Sequence, residues 1–352
     1  MATTAQLEES IRQLREDTTD FWAPLDAVPH VDAHSLSPLE FYRRFVSKSV
    51  PVVLLNAMES PQWRHVRERW RDHEYLVSRA DDDTLVTVDV TPFGYGDAVL
   101  LLDDHNHDDA VFAMPEERTM SLREFFRVFH DRNHDDGVPY LSHQNDSLRD
   151  EFPRLYEEVP PCLPLAKEAF GNEPEAVNIW IGDERAVSTM HKDHYENMYC
   201  VIKGRKHFTL LPPADVACLY EREFKSVRYR HERSLSGSDT VDVDATAKFH
   251  AKYPEHRAWF IVASPGTGDT PWIPVDPLNI DTQTFPLAAQ LHPLECVVEE
   301  GQVLYLPAMW YHRATQLEPT ISVNYWHDME FDCKYVYYNF VKSLAPSKGP
   351  TI

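Results

Sequence analysis

His191-Lys192-Asp193-His194-Tyr195-Glu196-Asn197-Met198-Tyr199-Cys200-Val201-Ile202-Lys203-Gly204-Arg205-Lys206-His207-Phe208-Thr209-Leu210-Leu211-Pro212-Pro213 is the stretch whose pattern sets the fold. From Asn197 to Leu211 it is strand-like, broken by a turn signal at Lys203-Gly204-Arg205-Lys206. That predicts two strands, Tyr199–Ile202 and His207–Leu211, joined as a hairpin. His-x-Asp stands at its head. Residues i and i+2 of a strand point the same way, so His191 and Asp193 can share one metal from a rigid sheet. Far downstream, Leu306-Pro307-Ala308-Met309-Trp310-Tyr311-His312 ends in a second imidazole. Two imidazoles and one carboxylate hold one face of an octahedral Fe(II) and leave three positions open. An oxygenase needs those positions for a chelating cosubstrate and for O2. Lys206 adds the cation that anchors a dicarboxylate such as 2-oxoglutarate.

The spacing alone is weak, because the chain has 18 histidines and many aspartates. His-x-Asp recurs at His30/Asp32, His107/Asp109 and His134/Asp136. His107 lies in a polar run that predicts an exposed loop, His134 in a turn ending at Gly137, and His30 in a loop after a proline. Of these, only His191 leads directly into a long strand. Four further residues are candidates on residue type alone. Tyr140 and Ser188 carry hydroxyls suited to a distal carboxylate, yet fit equally as a core tyrosine and a strand-edge serine. Asn197 and Asn324 are polar within apolar or aromatic runs, which suggests places inside a barrel.

Around this core, strands are expected at Val177–Gly182, Leu294–Val298, Val303–Leu306 and Thr320–Trp326, the middle two as a second hairpin about Glu299-Glu300-Gly301-Gln302. Serial antiparallel strands with short turns predict a small barrel or jelly roll. The fold class is therefore mainly β with flanking helices: a double-stranded, cupin-like core, an N-terminal α/β elaboration and C-terminal helices. Residues 1–140 form the N-terminal α/β region packed on the core. Helices are expected at 4–18 (Leu7, Ile11, Leu14), 39–46 and 121–130, and strands at 51–55, 84–90 and 138–141. Residues 141–330 form the core, with a polar insertion or lid at 215–270, and 331–352 the C-terminal helical segment. Its helix, Asp332 to Leu344, is rich in Tyr and Phe and either packs on the barrel or forms a homodimer interface.

With 43% hydrophobic and 12% aromatic residues, the 352-residue chain can bury a substantial core. A net charge of −23 argues against direct nucleic-acid binding, which needs clustered Lys and Arg. It suits a soluble protein that receives a basic side chain or a basic partner, and is read equally as solubility alone. Five cysteines without Cys-x-x-Cys spacing predict buried, reduced thiols. The first twenty residues are charged and lack an apolar run, so no secretory signal is expected. No stretch has the apolar length of a membrane span. A cytoplasmic or nuclear setting follows.

His191 to Pro213 resembles the catalytic hairpin of the JmjC oxygenases, in the subgroup that includes the factor-inhibiting-HIF asparaginyl hydroxylase. Pro271-Trp272-Ile273-Pro274-Val275-Asp276-Pro277 and Asn324-Tyr325-Trp326-His327-Asp328-Met329-Glu330-Phe331-Asp332 resemble it in the same order. The resemblance implies a double-stranded β-helix, Fe(II) held by His191, Asp193 and His312, and 2-oxoglutarate bound by Lys206 with Tyr140 and Ser188. Many relatives carry Thr where Ser188 stands, which keeps the hydroxyl. Asn197 and Asn324 match positions lining the cosubstrate pocket. For this type of member the resemblance implies a protein substrate, namely C3 hydroxylation of a lysine in developmentally regulated GTP-binding proteins. Asp328, Glu330 and Asp332 are candidates to meet its ammonium group, and are equally surface charges or a helix cap. The Asp193 to His312 separation exceeds the family's. The excess falls in 215–270 and bears on the substrate entrance, not the metal site.

Three other readings compete. A histone lysine or arginine demethylase shares the iron chemistry but usually brings reader or zinc-binding modules, for which no sequence signal is seen. A non-catalytic cupin-like binding protein has no need of the full triad and Lys206. A zinc hydrolase needs a general base that the sequence does not obviously place.

Overall fold

The computed structural model describes residues 4–344 except 23–26, 81–83, 105, 133–135, 145, 265 and 267. Two sheets face each other. The larger runs in the order His30–Asp32, Val52–Leu55, Val303–Leu306, Tyr195–Lys203, Thr320–Asp328, Ala176–Gly182. The smaller runs Leu294–Glu299, Arg205–Leu211, Tyr311–Gln316, Val187–Lys192, Tyr95–Gly96. Pairings among the strands after residue 175 in these sheets are antiparallel. This is the expected jelly roll.

The two expected hairpins are not hairpins. Strand 195–203 lies in the larger sheet and 205–211 in the smaller, and 303–306 and 294–299 divide the same way. The chain crosses between sheets at Gly204, whose φ of 82° is left-handed. A Cβ there would stand 2.5 Å from the Pro319 carbonyl oxygen, so only glycine fits the crossing. Each strand then pairs with partners distant in sequence, Tyr195–Lys203 with Thr320–Asp328 and Arg205–Leu211 with Tyr311–Gln316.

The larger sheet is covered on both faces, which is why its strands read as unbroken apolar runs. Met198, Cys200 and Ile202 pack outward, in one cluster with Phe41, Trp63, Val66 and Phe152 of the flanking helices and loops. Tyr199 and Val201 turn inward onto Phe208 and Leu210 of the smaller sheet. The Tyr199 and Phe208 rings meet edge to face at 5.2 Å. Burying Phe41 alone is worth about 1.5–3 kcal/mol.

N-terminal residues extend this sheet directly. Val52–Leu55 pairs with Val303–Leu306 on one side and, in parallel, with His30–Asp32 on the other. Ser37 caps the helix Pro38–Phe41 through a capping box with Glu40, and the helix continues as a π turn over Tyr42–Val46. Ser121 caps Leu122–Asp131, which buries Phe125, Phe126 and Phe129. The N-terminal helix runs Thr4–Trp22, and its Arg15 makes a buried ion pair with Asp215 at 2.8 Å. The Leu7 side chain, His134 and residues 345–352 lie outside the described residues.

The segment expected as a lid is built into the body. Ser226–His231 pairs in parallel with Ala110–Met114 and antiparallel with Trp259–Ala263, making a four-stranded sheet with Ala98–Leu101. The helix Val243–Lys252 packs its Phe249 into the main core. Arg222–Phe224 pairs with Thr270–Trp272 and so closes the segment's two ends. Its polarity is spent in ion pairs, such as Lys225–Asp242 at 2.6 Å and Lys248–Asp109 at 3.0 Å. The C-terminal helix is Cys333–Leu344. All five cysteines are free thiols, with Cys200, Cys218 and Cys296 buried. Among the described residues, no helix is long and apolar enough to cross a membrane.

Candidate metal centre

His191 and His312 stand directly opposite each other across the antiparallel pair Val187–Lys192 and Tyr311–Gln316. A register shift between Ser188 and His191 brings both residues to the cavity face of their strand. Lys192, between the two strand ligands, points away. Its ammonium lies over the Tyr311 and Tyr338 rings and pairs with Glu221 at 3.3 Å.

Both rings are oriented in the same manner. His191 Nδ1 meets the Thr189 carbonyl at 2.6 Å, and His312 Nδ1 meets the Trp310 carbonyl at 3.1 Å. A carbonyl only accepts, so each Nδ1 carries the proton and each Nε2 presents a lone pair. The two Nε2 atoms lie 3.9 and 3.6 Å from Asp193 Oδ2, and the three donor atoms fall within 4.8 Å of one another. Burial pushes His312 down to about 4, which keeps it neutral and able to ligate. Two nitrogens and a carboxylate oxygen converging in this way are what a divalent iron fits.

The turn that delivers His312 is tied back to the strand that follows Asp193. Met309 N donates to the Asp193 carbonyl at 2.9 Å. The Glu196 carboxylate accepts from Tyr305 Oη at 2.7 Å and from Ala308 N at 3.2 Å. His30, Asp32 and His107 have other partners. His30 Nδ1 meets the Val28 carbonyl, Asp32 caps a short turn, and His107 faces Asp281 at 3.4 Å.

Lys206 is 2% exposed inside the same cavity. Its ammonium donates to Tyr199 Oη at 2.7 Å and Tyr140 Oη at 3.0 Å, and no carboxylate pairs with it among the described residues. Burial pulls it down to about 7. Burial also pushes both tyrosines up, so they remain hydroxyls. Ser188 and Gln316 hydrogen-bond with the Tyr140 oxygen. Gly182 leaves room for that ring, since a Cβ there would come within 2.7 Å of it. Asn324 is fully buried. It accepts from Trp180 Nε1 at 2.8 Å and donates to Asn197 Oδ1 at 3.2 Å. His191, Asp193, His312, Lys206, Tyr140, Ser188, Asn197 and Asn324 thus line one cavity.

Three expected residues do not. Asp328, Glu330 and Asp332 border a separate groove with Met309, Lys334 and Tyr335. The chain turns outward at the end of strand 320–328 and carries them to the surface. Tyr199 is the partner that the sequence reading passed over. Its place two residues after Asn197 on an inward-facing strand was the available signal.

Removing the carboxylate tests the centre. Asp193→Ala is expected to weaken Co(II) binding, read as the d–d absorption of the substituted protein, by about a hundredfold. One tightly bound ion per chain in this variant would exclude the assignment.

A family model described as a cupin-like domain matches residues 38–333. The chain is 34% identical over 348 residues to the human "Bifunctional peptidase and (3S)-lysyl hydroxylase JMJD7", covering 98% of each. It is 37% identical over 319 residues to "Lysine-specific demethylase JMJ32" of Arabidopsis thaliana, covering 88% of this chain and 84% of that one. It is 35% identical over 325 residues to "JmjC domain-containing protein E" of Dictyostelium discoideum, covering 87% and 86%. The blocks at 271–277 and 324–332 resemble JmjC domain-containing protein 7 in particular, and the human relative agrees with that. With this jelly roll and this donor set, the chain belongs to the JmjC family, the cupin-like dioxygenases that use Fe(II), 2-oxoglutarate and O2.

Proposed function

We propose that this dioxygenase is a protein lysyl hydroxylase that acts at C3 of a lysine in developmentally regulated GTP-binding proteins. The observation that carries the reading is likeness across 98% of both chains to a relative named as a (3S)-lysyl hydroxylase. His191, Asp193 and His312 would hold the Fe(II). Lys206 takes the distal carboxylate of 2-oxoglutarate, with the Tyr140, Tyr199 and Ser188 hydroxyls around it, and Asn197 and Asn324 form the polar wall. Bound Fe(II) with 2-oxoglutarate and O2 supplies the oxidant, one oxygen atom leaving in succinate and the other in the hydroxyl, with release of CO2. The chain's own part is to fix the cosubstrate and to hold the buried His312 imidazole neutral. A translation-linked GTPase substrate places the reaction in the cytoplasm, with the nucleus as the second compartment.

The Arabidopsis relative's name supports a second reading, demethylation of a methylated lysine with release of formaldehyde. The C-terminal helix supports a homodimer. Val336, Tyr337 and Phe340, with Phe331 just before the helix, are each between 59% and 68% exposed. Apolar side chains of that size are rarely left as a patch on a monomer.

Mass spectrometry of a recombinant developmentally regulated GTP-binding protein, after incubation with the protein, Fe(II), ascorbate and 2-oxoglutarate, is expected to show one lysine heavier by one oxygen atom. The gain should vanish with His191→Ala. No gain, with formaldehyde released from methylated peptides, shifts the assignment to demethylation. Because burial pulls Lys206 down to about 7, it is charged below that pH, and above it must take up a proton when the cosubstrate binds. The Kd for 2-oxoglutarate should therefore rise above pH 7, by up to about tenfold per unit. Lys206→Ala should raise it about ten- to hundredfold and abolish that slope. An unchanged Kd would mean another cation anchors the cosubstrate. Sedimentation equilibrium is expected to give a dimer that Tyr337→Glu with Phe340→Glu converts to a monomer. A monomeric native protein at micromolar concentration would remove the dimer.

A further inference from the structure

The cavity holding the triad carries negative charge that neither iron ligation nor cosubstrate binding uses. Asp89 and Asp97 both line it. Asp89 Oδ2 accepts from Ser142 Oγ at 2.6 Å and has no cationic side chain paired with it among the described residues. The Asp97 carboxylate is enclosed by protein yet opens on the cavity, and no hydrogen bond or ion pair among the described residues involves it. The groups whose charge acts favourably on it are His191 and then Arg228, whose guanidinium is bonded to Glu117 at 2.9 Å. Burial holds both carboxyls above the usual range, Asp89 at about 6, and the charge of Asp97 adds to the effect there.

The placement of Asp97 is built, not incidental. Its backbone sits in the left-handed region, φ 47°, between the strands Tyr95–Gly96 and Ala98–Leu101. Its carbonyl accepts from Thr189 Oγ1 at 2.6 Å, two residues ahead of the ligand His191. The same hydroxyl accepts from Trp272 Nε1 at 3.1 Å. That indole lies nearly parallel to the His191 ring, 6.0 Å between centroids, and also lines the cavity. An aromatic plate and two carboxylates lining the cavity that also holds the triad match one kind of side chain: a long apolar stem that ends in a cation.

We propose that Asp97, with Asp89 beside it, seats the ε-ammonium of the substrate lysine while Trp272 packs along its methylene stem. This rests on the lysyl-hydroxylase reading above. Two carboxylates and the Ser142 hydroxyl offer acceptors for the three N–H donors of an ammonium. The lysine C3 atom is four bonds from that nitrogen, so seating the ammonium at this wall leaves the carbon free to lie toward the triad. A neutral or shorter side chain leaves the carboxylates without a counter-charge, and selectivity follows from that cost.

The test measures binding to the anaerobic holoenzyme, loaded with Fe(II) and 2-oxoglutarate, by calorimetry. The probes are a peptide of the GTP-binding protein spanning the modified lysine and the same peptide with norleucine at that position. Wild type should bind the lysine peptide at least about tenfold tighter than the norleucine peptide. Asp97→Asn, which keeps the shape and tolerates left-handed backbone, should lose that preference and bind the norleucine peptide as wild type does. Asp89→Asn keeps an acceptor for Ser142 and should reduce the preference in part; it decides the matter if the first variant does not fold. Full preference retained in the folded variants overturns the seat and leaves lysyl hydroxylation standing. A wild-type protein that modifies no lysine overturns the hydroxylase reading and the seat together.

Discussion

One cross-strand register governs the site. His191 faces His312 across two antiparallel strands of the smaller sheet, and Asp193 follows two residues on. A slip of one residue would send an imidazole to the other face of the sheet, where Lys192 and Tyr311 now lie. The register is held outside the centre as well as in it. Met309 and Ala308, in the turn before His312, are bonded to Asp193 and Glu196 of the opposite segment. Glu196 is a half-buried carboxylate outside the triad, yet it fixes the turn from which the second imidazole starts. Behind the larger sheet, the packed helices make the frame too stiff to absorb such a slip.

Within that frame the cavity is a place where charges are kept expensive. Lys206 is desolvated among tyrosine hydroxyls and aromatic rings, and among the described residues Asp89 and Asp97 have no paired cation. Taken alone these groups lower the stability of the fold. Each becomes favourable only when an opposite charge arrives, and the two signs call for different visitors. One cavity thus holds a cation and two carboxylates whose charges the fold itself leaves to be met from outside.

Much of this was legible in the residues. His191, Asp193 and His312 could be picked from a background of look-alikes because a strand of period two turns i and i+2 to one side. Lys206 was legible as the cation within the same strand-rich block. Asn197 and Asn324 stood out as polar residues in apolar runs, and they do meet by hydrogen bond. Tyr199 was hidden because a tyrosine in an apolar strand looks like any core aromatic. Only the inward alternation from Asn197 marks it. The hairpins were misread because a short turn with glycine signals adjacency in the chain, whereas here Gly204 carries the chain from one sheet to the other. Residues 215–270 read as loop because their strands are short and their charges satisfy each other. Their partners, Ala110–Met114, lie a hundred residues earlier, beyond the reach of any local pattern. Asp89 and Asp97 carried no signal at all, since their meaning comes from a cavity wall made by distant elements.

The crossing at Gly204 has a kinetic side. Because neighbouring strands go to opposite sheets, almost no ladder of the core closes locally. Tyr195–Lys203 waits for Thr320–Asp328, and Val187–Lys192 waits for Tyr311–Gln316. Loop-closure entropy has to be met before any of these contacts returns free energy, so the topology is a slow one. During synthesis the segment bearing His191 and Asp193 emerges long before the strand bearing His312. Until residues 311–328 arrive, the nascent chain has unpaired strand edges and two of three metal donors. The metal centre is therefore among the last features of the fold to exist, and a chain broken off anywhere before residue 312 has none.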